Sequence, residues 1–177
     1  MTERNIELVI DEELCVEEDN LVEINNLKCN INFNTTYVHQ IDFGGFGNLP
    51  QSEIINVYKD GRVFSHFIEP WLAVNYPLTH IKGCKKYDHT DINDDSVKYD
   101  QKTFTSGGCK FMPSNMIGEG RTFNKEIFEE KAKKLIYIIV SNIDFPEIKI
   151  RFVKGCELMV DYPKGIIPLK HFVKFFK

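Results

Sequence analysis

The chain has 177 residues, 42% of them hydrophobic and fourteen of them Phe. That is enough for one domain with a real core, and it excludes an intrinsically disordered chain. No apolar run approaches the roughly 18–20 residues that span a bilayer, and the acidic N-terminus has no basic, then apolar, leader. These features predict a cytoplasmic protein without membrane association. The net charge of −4 is unevenly spread: residues 1–27 carry nine acidic side chains and one basic, which leaves +4 on the other 150. The expected organisation is a single domain over 1–177, with acidic N-terminal elements over 1–45 and a core over about 50–160. The five cysteines are scattered and contain no C-x-x-C pair, so they read as reduced packing residues rather than zinc ligands or disulfides.

In chain order, residues 5–10 have the composition of a short strand and 11–27 that of a weakly amphipathic helix. Residues 29–43 favour one or two strands, and Gly44–Pro50 is a loop. This loop lacks the G-x-x-x-x-G-K-[ST] pattern of a phosphate cradle. From Pro50 the period becomes helical, with Ile54, Ile55 and Tyr58 on one stripe. After Asp60-Gly61 a second helix carries Val63, Phe64, Phe67, Ile68, Trp71 and Leu72, disturbed by Pro70 and ended before Pro77. Glu69 is the acid within that apolar segment.

The stretch from Tyr87 to Thr105 predicts a β-hairpin, with strands over 87–92 and 97–104 around the polar turn Asn93-Asp94-Asp95-Ser96. Asp100 and Lys102 are two apart on the second strand, so both leave the same face. Cys109–Met112 is expected to return along that strand. A polar loop over 113–121 follows, then a helix capped by Thr122 or Asn124. Residues 135–143 have the continuous apolar composition of a covered, parallel strand. Residues 147–153 alternate as a strand, 156–160 are expected to form another, and the chain finishes with apolar and basic residues mixed.

Two carboxylates and a lysine on neighbouring strands suit phosphodiester hydrolysis. Mg²⁺ takes hard oxygen ligands, and an adjacent ammonium orients the attacking water and stabilises phosphate charge. Asp91 and Asp100 are the expected metal ligands and Lys102 the catalytic cation, with Glu69 as an accessory carboxylate. Asp88, Asp94 and Asp95 compete for the place given to Asp91, which is favoured because the strand residue Ile92 follows it.

With Thr90-Asp91 as the first half-motif and Asp100-Gln101-Lys102 as the second, the sequence resembles the PD-(D/E)XK nuclease superfamily, and type II restriction endonucleases in particular. The resemblance spans about residues 61–153. It implies an α/β fold, with a central mixed β-sheet flanked by helices in an αβββαβ core. It also implies a Mg²⁺-dependent endonuclease acting on double-stranded DNA, and a homodimer where both strands of a palindrome are cut. Ser114, Asn115, Arg121, Lys131 and Lys134 are the expected DNA contacts. Asp88-His89 also resembles the start of an HNH motif, without its downstream helix histidine. A non-catalytic phage or viral interaction protein is the reading from a different class.

Overall fold

The computed structural model describes residues 28–42, 48–83 and 86–177. The expected strand over 5–10, the helix over 11–27 and most of the Gly44–Pro50 loop lie outside them. Among the described residues eight strands follow in order: β1 (Thr36–Gln40), β2 (Leu78–His80), β3 (His89–Asp91), β4 (Lys98–Phe104), β5 (Cys109–Lys110), β6 (Ile136–Ser141), β7 (Glu147–Lys154) and β8 (Ile166–Ile167). The helices are α1 (Gln51–Tyr58), α2 (Gly61–Asn75), α3 (Lys125–Lys133), α4 (Gly155–Asp161) and α5 (Phe172–Phe175).

A six-stranded mixed sheet, ordered β1-β7-β6-β4-β3-β2, divides the interior. β6 is parallel to β4 and antiparallel to β7, while β2, β3 and β4 form an antiparallel run. The apolar composition of β6 reflects burial on both faces, because adjacent residues in a strand point opposite ways. Tyr137 and Ile139 enter a cluster with Phe111, Phe128 and Phe175 on the α3–α4 side. Ile138 and Val140 enter a cluster with Phe64, Ile68 and Leu72 of α2 on the other. Among the described residues no helix is long and apolar enough to cross a membrane.

α2 begins at a well-made N-cap. The Asp60 carboxylate accepts the Arg62 N–H at 2.8 Å and the Val63 N–H at 3.5 Å, satisfying two donors that a helix start leaves open. Gly61 then lets the helix meet the end of β4, since a Cβ there would stand 2.9 Å from the Thr105 methyl. The helix runs through Pro70 to Asn75 rather than breaking there. Pro70 is exposed, and one missing donor does not outweigh the buried stripe of Phe64, Ile68 and Leu72.

Three expectations need correction. The third strand of the antiparallel run is β2, before the hairpin, whereas Cys109-Lys110 pairs with Ile166-Ile167 in a separate two-stranded sheet. Residues 156–160 belong to helix α4, not to a strand. The helix is favoured because it buries Leu158 under the sheet and sets Gly155 against α3, where an added Cβ would lie 2.0 Å from the Ala132 carbonyl oxygen. The strand over 135–143 is parallel on one side only.

Candidate active site

β4 is an interior strand, and its odd and even residues serve different faces. Gln101 and Thr103 point toward α2, where Thr103 Oγ1 meets Ser65 Oγ at 3.1 Å. Asp100 and Lys102 point toward α3, beside buried Cys109 and Tyr137. The expected same-face pair is therefore present as an ion pair. Lys102 Nζ lies 2.8 Å from Asp100 Oδ1, and the Asp100 side chain is only 6% exposed. Lys102 also donates to the Gln101 carbonyl at 3.0 Å.

The carboxylate that joins this pair is Asp88, not Asp91. In the β3–β4 ladder His89 faces Tyr99 and Thr90 faces Lys98. Asp88 stands just before β3, alongside the Tyr99–Gln101 stretch of β4. Asp88 Oδ2 accepts the Gln101 N–H at 2.7 Å, and the Asp88 N–H donates to Tyr99 O at 2.9 Å. Asp91 belongs to the closed end of the hairpin instead. Its N–H donates to Val97 O, its Oδ1 accepts the Asn93 N–H at 2.9 Å, and its Oδ2 accepts the Tyr99 hydroxyl at 3.5 Å. Asp94 is a turn residue, accepting the Ser96 N–H at 2.9 Å and hydroxyl at 2.6 Å.

Burial, together with the nearby charge of Asp100, pushes the Asp88 carboxyl up to about 7; Lys102 and the Gln101 N–H pull the other way. Glu69 of α2 adds to the negative field at Asp88. Burial by itself would lower the Lys102 pKa, but Asp100 and Asp88 outweigh it and the ammonium is raised above its ordinary value. Burial likewise pushes the adjacent Cys109 thiol up to about 12, which makes it a packing group rather than a nucleophile.

Glu69, Asp88, Gln101 and Lys102 line one cleft of about 720 Å³, together with Ser65 and Thr103. Glu69 Oε2 is held by His80 Nε2 at 3.3 Å. His89 is fully buried and donates from Nε2 to the Glu69 carbonyl at 2.8 Å. That leaves it no access to a substrate, so the general-base role of an HNH histidine does not fit it.

The expected DNA contacts divide. Ser114, Asn115, Lys131 and Lys134 come together with Lys86 around a second cavity of about 470 Å³. Arg121 does not join them: its guanidinium donates to the carbonyls of Ser114 and, at 2.9 Å, Ile117, tying the 114–121 loop to itself. Lys134 is paired with Glu130 at 2.8 Å. Lys131 reaches inward to within 3.8 Å of Asp100 Oδ2.

Among the described residues no three His, Cys, Asp or Glu side chains converge as a metal cage. Mg²⁺, however, is commonly held by one or two carboxylates with waters and phosphate completing its shell. The donor set fits that pattern. Asp88 and Asp100 are nearby carboxylates with hard-oxygen donors, and Asp100 Oδ2 is buried with no hydrogen-bond partner. The chain matches no family model, no curated protein and no solved structure.

Proposed function

We propose that this protein is a Mg²⁺-dependent endonuclease that hydrolyses DNA phosphodiester bonds. The observation that carries the reading is the buried Asp100–Lys102 pair, with Asp88 alongside at the wall of an open cleft. The main-sheet order α2, β2, β3, β4, α3, β6 supports it further: it matches the αβββαβ order that the resemblance implies, with the two-residue β5 of the separate small sheet inserted between β4 and α3.

In this reading Asp88 and Asp100 would hold the cation, which when bound neutralises phosphate charge and acidifies a water. The chain's own residues do the rest. Lys102 keeps its proton between two carboxylates and presents a fixed, partly buried positive charge where phosphate oxygens would gain negative charge. Such preorganised charge is worth more than the same ammonium on an open surface. Glu69, braced by His80, supplies a further acceptor on the α2 wall, suited to orienting a water. Gln101 locks Asp88 through its backbone N–H while its side chain donates to Thr103 at 3.2 Å.

Incubation with plasmid DNA and Mg²⁺ tests the proposal, with Lys102→Ala alongside. Expected are products that EDTA suppresses and the variant does not form. Equal cutting by Lys102→Ala would remove the assigned mechanism, and absence of cleavage of any nucleic acid would favour a non-catalytic interaction protein. The finer reading, a sequence-specific restriction enzyme acting as a homodimer, requires discrete fragments and a dimeric mass in solution.

A further inference from the structure

We propose that Lys131 is a second active-site lysine, which holds Asp100 in the free protein and passes to a nucleic-acid backbone phosphate when a divalent cation and the strand bind. The inference rests on the phosphodiester reading of Asp88, Asp100 and Lys102. It concerns a residue on a different element, at the opposite side of the carboxylate.

The two oxygens of Asp100 are held unequally. Oδ1 has the short contact to Lys102, at 2.8 Å, and that lysine is anchored again on the Gln101 carbonyl. Oδ2 faces Lys131 at 3.8 Å, beyond hydrogen-bond length, and is buried without a hydrogen-bond partner. A buried carboxylate oxygen without a hydrogen-bond partner is costly, which favours a cation near Oδ2. In the free protein Lys131 fills that role at long range. A divalent ion arriving at Asp100 competes first with the longer, weaker contact, and Lys131 is the lysine it releases.

What lies on the other side of Lys131 indicates where it goes. Its side chain is 30% exposed, lies in the last turn of α3, and lines the cavity shared with Lys86, Ser114 and Asn115. Asp100 is its one ion-pair partner among the described residues, whereas Lys134 beside it is neutralised by Glu130. An ammonium on a flexible stem, a hydroxyl and an amide are the groups that commonly contact backbone phosphates. The Lys102 and Lys131 ammoniums are one carboxylate apart, one toward the cleft and one toward this cavity. In this proposal the scissile phosphate falls to Lys102, which lines the cleft, and a neighbouring phosphate of the same strand to Lys131, which lines the second cavity.

Lys131→Met tests this, because Met keeps the stem length and helix propensity at a partly exposed position. Two quantities are measured: Mg²⁺ affinity of the nucleic-acid-free protein by calorimetry, and affinity for a fluorescein-labelled DNA duplex in Ca²⁺ across a salt series. Removing the competing ammonium should tighten Mg²⁺ several-fold. Duplex binding should weaken several-fold, with a salt slope shallower by about 0.9, the value of one phosphate contact. Lys131→Arg should restore duplex binding. Unchanged or weaker Mg²⁺ binding in Lys131→Met, or an unchanged salt slope, overturns the role given to Lys131. If wild-type protein binds no Mg²⁺, or binds it equally as Asp100→Asn, the underlying metal reading falls and this inference with it.

Discussion

The Asp88 carboxylate is pinned by the Gln101 N–H at 2.7 Å, which holds it within the field of Asp100, the residue before Gln101 on β4. Two acids in that relationship, partly withdrawn from water, repel one another, and Asp88 retains its proton to about pH 7. The arrangement is unfavourable for the isolated fold and suited to a cation. Cleavage should therefore separate two aspartates that the sequence alone makes hard to rank. Asp88→Asn is expected to reduce DNA cleavage by about a hundredfold or more, the scale seen when a preorganised charged group is lost from a site. Asp91→Asn retains an oxygen for the Asn93 N–H and should leave cleavage near wild type, with a stability change within about 0.5 kcal/mol. Single-turnover rates on plasmid DNA check both.

Stability against pH offers a test that needs no substrate. Burial lowers the His89 pKa to about 4 from an unfolded value of 6.5, so between those pH values the unfolded chain binds more protons. The His89 contribution is complete above pH 6.5 and is lost as pH falls toward 4, on the order of 3 kcal/mol. Asp88 acts in the opposite sense. Its folded pKa of about 7 exceeds the unfolded 3.8, so the folded protein binds more protons and loses stability as pH rises across that window. In the wild type the two slopes oppose each other. Asp88→Asn should expose the His89 slope, with urea midpoints rising from pH 4 to 6.5, and should make the protein more stable than wild type at pH 7. A parallel profile for wild type and variant would contradict the buried, like-charge setting of Asp88.

The hairpin could be read from Tyr87–Thr105 because its turn residues and its alternation are local signals. The same-face Asp100–Lys102 pair followed from strand period alone. The neighbour Ile92 favours Asp91 in the sequence, yet Ile92 is exposed outside the strand and the carboxylate serves the turn. Counting register outward from the turn would have set Asp91 near Val97 and left Asp88 as the acid closest to Asp100. The position of β2 was harder to find. It has only three residues, two positions after a helix, and its pairing with β3 is a contact between segments that sequence pattern does not connect. Helix α4 was missed for a similar reason: its Gly155 start is explained by the approach to Ala132, which belongs to another element. Lys131 beside Asp100 likewise depends on where α3 docks, not on any local motif.

That docking can be perturbed directly. Gly155 sits where an added methyl would meet the Ala132 carbonyl oxygen at 2.0 Å and the Leu135 carbonyl oxygen at 3.0 Å. Gly155→Ala must push α3 and α4 apart, and an overpacked contact of this kind costs about 1–3 kcal/mol. Urea unfolding should show a lower midpoint with an unchanged slope. Because the displaced helix carries Lys131, duplex affinity should fall as well, while the Asp100–Lys102 pair on β4 keeps its own strand geometry.

Arg121 yields a prediction that distinguishes holding a loop from holding DNA. Its guanidinium is committed to the carbonyls of Ser114 and Ile117, and the loop it closes carries Ser114 and Asn115 to the cavity beside Lys131. Arg121→Ala should loosen that loop and weaken duplex binding, since Ser114 and Asn115 lose their fixed positions. The salt dependence should stay at the wild-type slope, because no phosphate contact and no counterion release are removed. Anisotropy titrations over a salt series measure both quantities. A shallower slope for Arg121→Ala, by the same amount as for Lys131→Met, would mean that the guanidinium leaves the two carbonyls and meets phosphate directly in the complex.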